Sequence, residues 1–137
     1  MTPILSAISS IRRESAIKAR EYALKALSLN DELSEAHVSV GAILQDVDHD
    51  FAGAEREFKR AIELDPNNGA AYSSYAFLLA AMGRTDEAAE NFERALELEP
   101  VSPFINRSYG VFLMYIRKYD ESEAQLKKPS TLIPASF

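Results

Sequence analysis

The sequence of 137 residues contains no cysteine, few glycines and prolines, and fewer basic than acidic side chains. Without cysteine the chain can form no disulfide framework, no thiolate zinc site and no Cys nucleophile. Fifteen lysines and arginines against twenty-one aspartates and glutamates give a net charge of −6. Because nucleic acids and anionic membranes require a basic surface, neither is expected as the main partner.

The chain also lacks a long hydrophobic run. The longest uncharged apolar stretch, residues 70–83, contains two serines and is too short to cross a bilayer. Residues 1–5 show no basic segment followed by a long apolar one, so we expect no signal peptide. Apolar residues make up 47% of the chain, which is ordinary for a folded soluble protein. We therefore expect a soluble, cytoplasmic protein with one domain overall.

What the sequence does contain is a repeat of 34 residues. The segment from Ala54 to Pro66 has a counterpart in the segment from Ala88 to Pro100, and corresponding residues lie 34 positions apart. One further step of 34 reaches Leu126 and Pro134, and a step of 35 back from Pro66 reaches Asp31. A fixed period of this length indicates a stack of structural repeats.

Each period holds two amphipathic helices. An earlier segment, whose copies begin at His37, Tyr72 and Asn106, has apolar and small residues spaced three and four apart, which places one stripe along a helix. Small residues on the first helices face small residues on the second helices: Gly41, Ala76 and Gly110 opposite Ala54, Ala88 and Ser122. The paired helices can therefore approach closely.

Helix breaks fall where two helices per period require them. Residues 66–68 and 100–103 separate the periods, and residues 83–85 separate the two helices inside one period. Ser102 is suited to cap the following helix, and Pro103 is suited to its first turn.

This pattern resembles the tetratricopeptide repeat, which reads W-x2-L-G-x2-Y and then A-x3-F, a further Ala and a closing Pro. The run Ala54-x3-Phe58-x2-Ala61-x4-Pro66 and its copy ending at Pro100 match the second-helix part. In the first helices, His37, Tyr72 and Asn106 occupy the Trp position. The resemblance covers about residues 14–134. It implies an all-α fold, a right-handed α-solenoid of stacked antiparallel helix pairs that serves as a protein-interaction module.

The resemblance divides the chain into repeats and two irregular ends. The segments are a partial or degenerate N-terminal repeat at 1–33, repeats at 34–66, 67–100 and 101–134, and a tail at 135–137. Residues 2–13 keep an apolar spacing but lack a glycine turn, so they form either a degenerate first helix or an extension of the next one. Pro129 replaces a packing Ala, so we expect the last helix to stop near Lys127 or Lys128 and the rest to be irregular.

A narrower resemblance concerns the turn between the helices of the first complete repeat. Residues 48–58, with one extra residue in the turn, look like the repeat arrays attached to bacterial winged-helix regulators and adenylate cyclases, and residues 34–37 and 100–106 point the same way. These 137 residues show no such attached domain, so regulation through a fused domain is not carried over.

The family resemblance implies that the first helix of each pair lines a concave groove that binds a protein or peptide partner. The implied groove residues are Val38, Ala42, Gln45, Asp46, Ser73, Phe77, Ala80, Ala81, Phe104, Arg107, Val111, Met114 and Tyr115. Large apolar side chains at such positions would anchor an amphipathic helix or an extended peptide, oriented by Arg107 and Asp46. The alternative is that Phe77 and Val111 only fill the core between neighbouring helices. Arg107 is the single cation of the set, so we do not expect capture of an acidic tail.

A second hypothesis is self-association. If the last helix is truncated, apolar surface near Leu113, Ile116 and Leu126 is left uncovered, and two chains could hide it in a homodimer.

An acidic turn imitates a calcium-binding loop. Asp46, Asp48 and Asp50, with Glu57 eleven residues after Asp46, follow the spacing of such a loop. However, Phe51 stands where the loop needs a glycine. We therefore expect a solvated turn with acidic residues near a helix start, and no metal.

The two histidines suggest no catalysis. His37 takes the place of a packing aromatic, so we expect a partly buried, hydrogen-bonded side chain. Neither His37 nor His49 has a Ser or Asp partner at motif spacing, and the five glycines form no phosphate-binding loop. The sequence therefore predicts a protein that is not an enzyme and needs no cofactor.

Overall fold

Six α-helices and no β-strand make up the computed structural model over the residues that it describes, 3–116 and 125–127. This confirms the predicted all-α helical repeat fold. The chain divides into two compact units, Met1–Leu64 and Asp65–Phe137. The first contains α1 (Pro3–Leu29), α2 (Ser34–Asp46) and α3 (Phe51–Leu64), and the second contains α4 (Gly69–Ala81), α5 (Thr85–Leu98) and α6 (Pro103–Tyr115).

Helix α1 is one continuous helix of 27 residues. Of the two alternatives for residues 2–13, the structure shows the second, in which they extend the following helix. Pro3 stands at the helix start, where a missing backbone N–H costs nothing, and no glycine or proline interrupts the helix after it. Only the later half of α1 packs on α2, and Ala23 is its one buried residue.

The breaks between helices follow local side-chain chemistry. Asn68 caps α4 by accepting a hydrogen bond from the backbone of Ala71, and Ser102 caps α6 by accepting one from Ile105, with Pro103 in the first turn as predicted. Gly83, between α4 and α5, has a φ of 79°, which favours glycine. The division into repeats and the single overall domain stay predictions.

Within the first unit, α2 and α3 pack at close range because α2 carries a glycine where they meet. A Cβ atom on Gly41 would lie 2.6 Å from the ring of Phe58, which is buried. Ala54 and Ala61 on α3 are fully buried. Ser34, at the start of α2, donates a hydrogen bond of 2.8 Å from its hydroxyl to the carbonyl of Ala61.

In the second unit the same arrangement recurs. Ala76 of α4 and Ala88 of α5 are fully buried, and Phe92 takes the position that Phe58 has in α3. Gly110 of α6 lies against Leu126, which is 34 residues beyond Phe92, and a Cβ at Gly110 would come within 2.7 Å of the Leu126 side chain. The second helix of the last repeat thus begins to pack as the period predicts.

The predicted end of the last helix lies partly outside the described residues. Gln125 and Leu126 are helical and Lys127 is in a turn. Pro129, the expected tail and Ser122, the predicted neighbour of Gly110, lie outside the described residues. Among the described helices, none has the length and apolar character needed to cross a membrane.

Candidate partner-binding surface

The second unit carries an apolar cleft between α4 and α6. The cleft encloses about 220 Å³ and, among the described residues, is lined only by alanine, valine and aromatic side chains. These are Phe77, Ala80 and Ala81 of α4, Phe92 of α5, and Val111, Phe112 and Tyr115 of α6. The cleft arises because α4 and α6 present the same helical positions, 34 residues apart, to one side of the unit.

A second, shallower pocket shares a wall with this cleft. Phe77 and Val111 line both, and the second pocket of about 390 Å³ is completed by Pro103, Phe104, Arg107 and Ser108. Arg107 brings a positive charge to a surface that is otherwise almost entirely apolar. We call the two pockets together the α4–α6 cleft.

Stacked aromatic rings form the floor of the α4–α6 cleft. Phe92 lies at their centre, with ring centroids 5.1 Å from Phe112, 5.5 Å from Tyr109 and 6.1 Å from Phe77, the last in an edge-on contact. Such offset and edge-on arrangements are favourable for aromatic pairs. The floor is therefore rigid and already packed before any ligand arrives.

The α4–α6 cleft brings together most of the predicted groove residues of the second unit. Phe77, Val111 and Tyr115 are exposed over 42%, 45% and 74% of their surfaces, so the alternative that Phe77 and Val111 only fill the core does not describe them. Phe104, Arg107, Met114 and Ala81 are also exposed, and Ala80 is half-buried.

Ser73 is a correction to the predicted groove. The resemblance places it on the concave side, but in the structure it is fully buried. Its hydroxyl has no hydrogen-bond partner among the described residues. The charge-free helix α4 is packed more tightly than the repeat pattern implies, so a position that lines a groove in the pattern is covered here.

The predicted groove residues of the first unit lie on α2. Val38, Ala42 and Gln45 are half-buried, and Asp46 is exposed at the end of the helix. A pocket in this unit is lined by other residues, among them Tyr22 and Ala26 of α1 and Glu35 and Ser39 of α2. That the four α2 residues take part in binding stays a prediction.

The three residues predicted for self-association differ in accessibility. Leu113 is only 3% exposed, so it offers no surface to a second chain, whereas Ile116 and Leu126 are half-buried. Leu126 lies against Gly110 of its own chain. The apolar surface expected around Leu113 is therefore covered, and self-association itself stays a prediction.

The acidic turn uses its carboxylates for contacts within the first unit. Asp48 pairs with Arg20 of α1 at 2.5 Å, and Asp50 accepts a hydrogen bond of 2.9 Å from the backbone of Gly53, as an N-terminal cap does. Glu57 points elsewhere, toward His37. The acidic residues near a helix start thus act as the bland interpretation predicted. Among the described residues, no three potential metal ligands cluster.

His37 is partly buried and hydrogen-bonded, as predicted. Its Nδ1 lies 2.7 Å from a carboxylate oxygen of Glu57, and its Nε2 lies 2.8 Å from the carbonyl of Asp31. Both neighbours are hydrogen-bond acceptors, so only a ring with two N–H groups satisfies both contacts. His37 thereby links α2 to α3 and to the turn before α2.

Asn106 repeats this link in the second unit, which the sequence pattern did not reveal. It is fully buried, and its amide donates to the carbonyls of Pro100 at 3.0 Å and Ser102 at 2.9 Å. Its own carbonyl accepts a hydrogen bond from Gln125. His37 and Asn106 each reach the carbonyl six residues earlier. A signal existed, because Glu57 and Gln125 are two periods apart.

Tyr72 occupies the same position in α4 but has a different partner. The guanidinium of Arg94 lies 5.9 Å from the centre of the Tyr72 ring. A hydrogen bond to Glu97, together with one to Tyr72, raises the pKa of Arg94 above its ordinary value. The cation above the ring is therefore permanent.

Comparison with known proteins supports the repeat assignment. A family model for the tetratricopeptide repeat matches residues 48–103, which include α3, α4 and α5. No curated protein sequence matches the chain.

Solved structures with a similar fold include two of MamA and one chain of the APC/C hetero-tetramer Cut9-Hcn1. The MamA chains are 24% identical with a TM-score of 0.63, and 82% of this chain aligns with 65% and 61% of their lengths. The Cut9-Hcn1 chain is 20% identical with a TM-score of 0.70, and 82% of this chain aligns with 21% of it. The present chain thus spans less than two thirds of each, and the likeness shows the fold alone.

Proposed function

We propose that this protein is a protein-interaction module that binds an amphipathic helix or an extended peptide of a partner in the α4–α6 cleft. The observation that carries the proposal is the partial exposure of Phe77 and Val111 above an aromatic floor. The match to the tetratricopeptide repeat supports it, because repeats of this family generally bind other proteins.

Burial of apolar surface supplies the binding energy in this proposal. Covering a phenylalanine or a comparable side chain completely is worth about 1.5–3 kcal/mol. Phe77, Phe104, Met114 and Tyr115 are large apolar residues of one unit that are all exposed. Contiguous apolar surface of this kind marks interaction sites in folded proteins, because solvation alone gives no reason to maintain it.

The chemistry of the cleft defines the class of ligand. Two turns of a helix with apolar residues at positions i, i+4 and i+7 would fill the apolar pocket between α4 and α6. Arg107, in the adjoining pocket, would meet an acidic residue of the ligand and fix its direction. Asp46 and its neighbours on α2 would contribute more weakly, since they carry no aromatic anchor.

Binding in this proposal involves no bond making or breaking, so the module is not an enzyme and uses no cofactor. The narrower resemblance to arrays of winged-helix regulators and adenylate cyclases would make the partner a regulatory domain. The matches support only the general likeness to tetratricopeptide repeats, so the proposal names no such domain.

The test is a selection of phage-displayed peptides of about 16 residues on the full chain, a length of roughly four helical turns. Selected peptides are then titrated against wild type, Phe77→Glu and Val101→Glu by fluorescence anisotropy. Val101 is a matched control, because it is also an exposed apolar residue of the second unit but lines neither pocket.

We expect selected peptides to share apolar residues at helical spacing and to bind Phe77→Glu at least tenfold more weakly, about 1.4 kcal/mol. Val101→Glu should bind within about twofold of wild type. Circular dichroism should show unchanged helicity in both variants. Equal affinity for wild type and Phe77→Glu, or loss of helicity in Phe77→Glu, would contradict the proposal.

A further inference from the structure

The first half of α1 carries an apolar stripe that nothing in the first unit covers. Ile4, Ile8 and Ile11 recur at spacings of four and three, so they lie on one face of the helix. All residues from 3 to 15 are exposed, and the three isoleucines are 73%, 43% and 62% exposed. We call this face the α1 stripe.

Basic side chains border the α1 stripe. Arg12 follows Ile8 by four residues and lies at one margin, while Lys18 follows Ile11 by seven residues and lies toward the other. Arg12, Arg13 and Lys18 form no ion pair within the part of the chain that the structure describes. Their charges are therefore available to an external anion.

The net charge of the whole chain conceals this local charge. Helix α1 has five basic and two acidic side chains and thus a charge of +3, whereas residues 30–64 have three basic and nine acidic ones and a charge of −6. An exclusion of anionic surfaces based on the total of −6 therefore does not apply to α1.

We propose that the α1 stripe docks on an anionic lipid surface, with the helix lying in the plane of the interface and not crossing it. Isoleucines would enter the boundary between head groups and acyl chains, while Arg12, Arg13 and Lys18 contact lipid phosphates. This inference is independent of peptide binding by the α4–α6 cleft, which lies in the other unit.

Charge favours lipid over a second copy of the chain as the occupant. Two α1 stripes packed together would bring two basic helices into contact, and like charges oppose such a pairing. The rest of each chain is acidic and would be held away from an anionic membrane, so docking would involve α1 alone.

The test is co-sedimentation of the full chain with vesicles of phosphatidylcholine and phosphatidylglycerol, and with vesicles of phosphatidylcholine alone. Ile8→Glu removes the centre of the α1 stripe. Ile17→Glu is the matched control, because Ile17 is exposed on the same helix but nine residues on, which places it on the opposite side. Arg12→Ala combined with Arg13→Ala tests the charges, and light scattering follows the oligomeric state.

We expect wild type and Ile17→Glu to sediment with the anionic vesicles and not with the neutral ones, with binding weakened by added salt. Ile8→Glu and the double arginine variant should each partition at least about tenfold more weakly. Absence of vesicle binding by wild type, or equal losses in Ile8→Glu and Ile17→Glu, would overturn the proposal. So would a dimer without lipid that Ile8→Glu dissociates, since a second copy would then be the occupant.

Discussion

Helices α2 and α4 occupy equivalent places in the two units but differ in what they bury and what they expose. Each has 13 residues, yet α2 buries three of them and α4 buries seven. Helix α2 carries Glu35, His37 and Asp46, whereas α4 has no charged residue. The same helix-pair scaffold therefore supports a polar surface in the first unit and an apolar one in the second.

Two substitutions between equivalent positions account for much of this difference. Phe77 of α4 corresponds to Ala42 of α2, and Ala81 corresponds to Asp46, each 35 residues apart. The first change adds an aromatic wall, and the second replaces a carboxylate with a methyl group. The comparison teaches that the packing positions define the repeat, while the positions between them determine what it can bind.

The comparison would be broken most strongly at the core. Phe92→Ala should lower the free energy of unfolding by about 4–5 kcal/mol, and Phe58→Ala, at the equivalent position of the first unit, by about 3–4 kcal/mol. Both side chains are buried, but only Phe92 has three aromatic neighbours in the second unit, each worth about 0.5–1.5 kcal/mol. Urea denaturation followed by circular dichroism measures both. A larger loss for Phe58→Ala would show that the aromatic floor adds nothing.

An intermediate effect is expected at the polar links. Asn106→Ala should cost about 2–3 kcal/mol, because it removes two donated hydrogen bonds and deprives the buried amide of Gln125 of its acceptor. His37→Ala should cost only about 1 kcal/mol, because His37 and Glu57 are partly exposed and water can replace them. Thermal unfolding of the two variants side by side gives the order, and equal losses would contradict it.

The smallest effect differs in sign between the units. Ser73→Ala should raise the free energy of unfolding by up to about 1 kcal/mol, since it removes a buried hydroxyl that lacks a partner among the described residues. Ser34→Ala should lower it by about 1 kcal/mol, because the Ser34 hydroxyl donates to Ala61. Chemical denaturation resolves this sign, and destabilisation by Ser73→Ala would show that its hydroxyl is satisfied.

The helices were predictable because their boundaries depend on neighbouring residues. Ser102 and Pro103 start α6 through a local cap, and Gly83 ends a helix pair because its backbone needs a positive φ. The period also predicted that small and large residues meet, as Gly41 and Phe58 do. Each of these signals lies within one helix pair.

Other features depend on contacts that the pattern does not encode. The burial of Ser73 and Leu113 results from how closely α4 and α6 pack, and the repeat register assigns them to exposed surfaces. Phe92 and Phe112 were missed as part of the binding surface, because the repeat pattern marks such residues as core although their rings reach the cleft floor. The continuity of α1 was left open, since the absence of a glycine turn is compatible with two structures.

The most direct test of the central claim is a ¹H–¹⁵N NMR titration of the full chain with a selected peptide. The account predicts that the largest shift changes fall on α4 and α6, around Phe77, Val111 and Tyr115, with little change on α2 and α3. Changes concentrated on α2 and α3, with α4 and α6 unaffected, would contradict it.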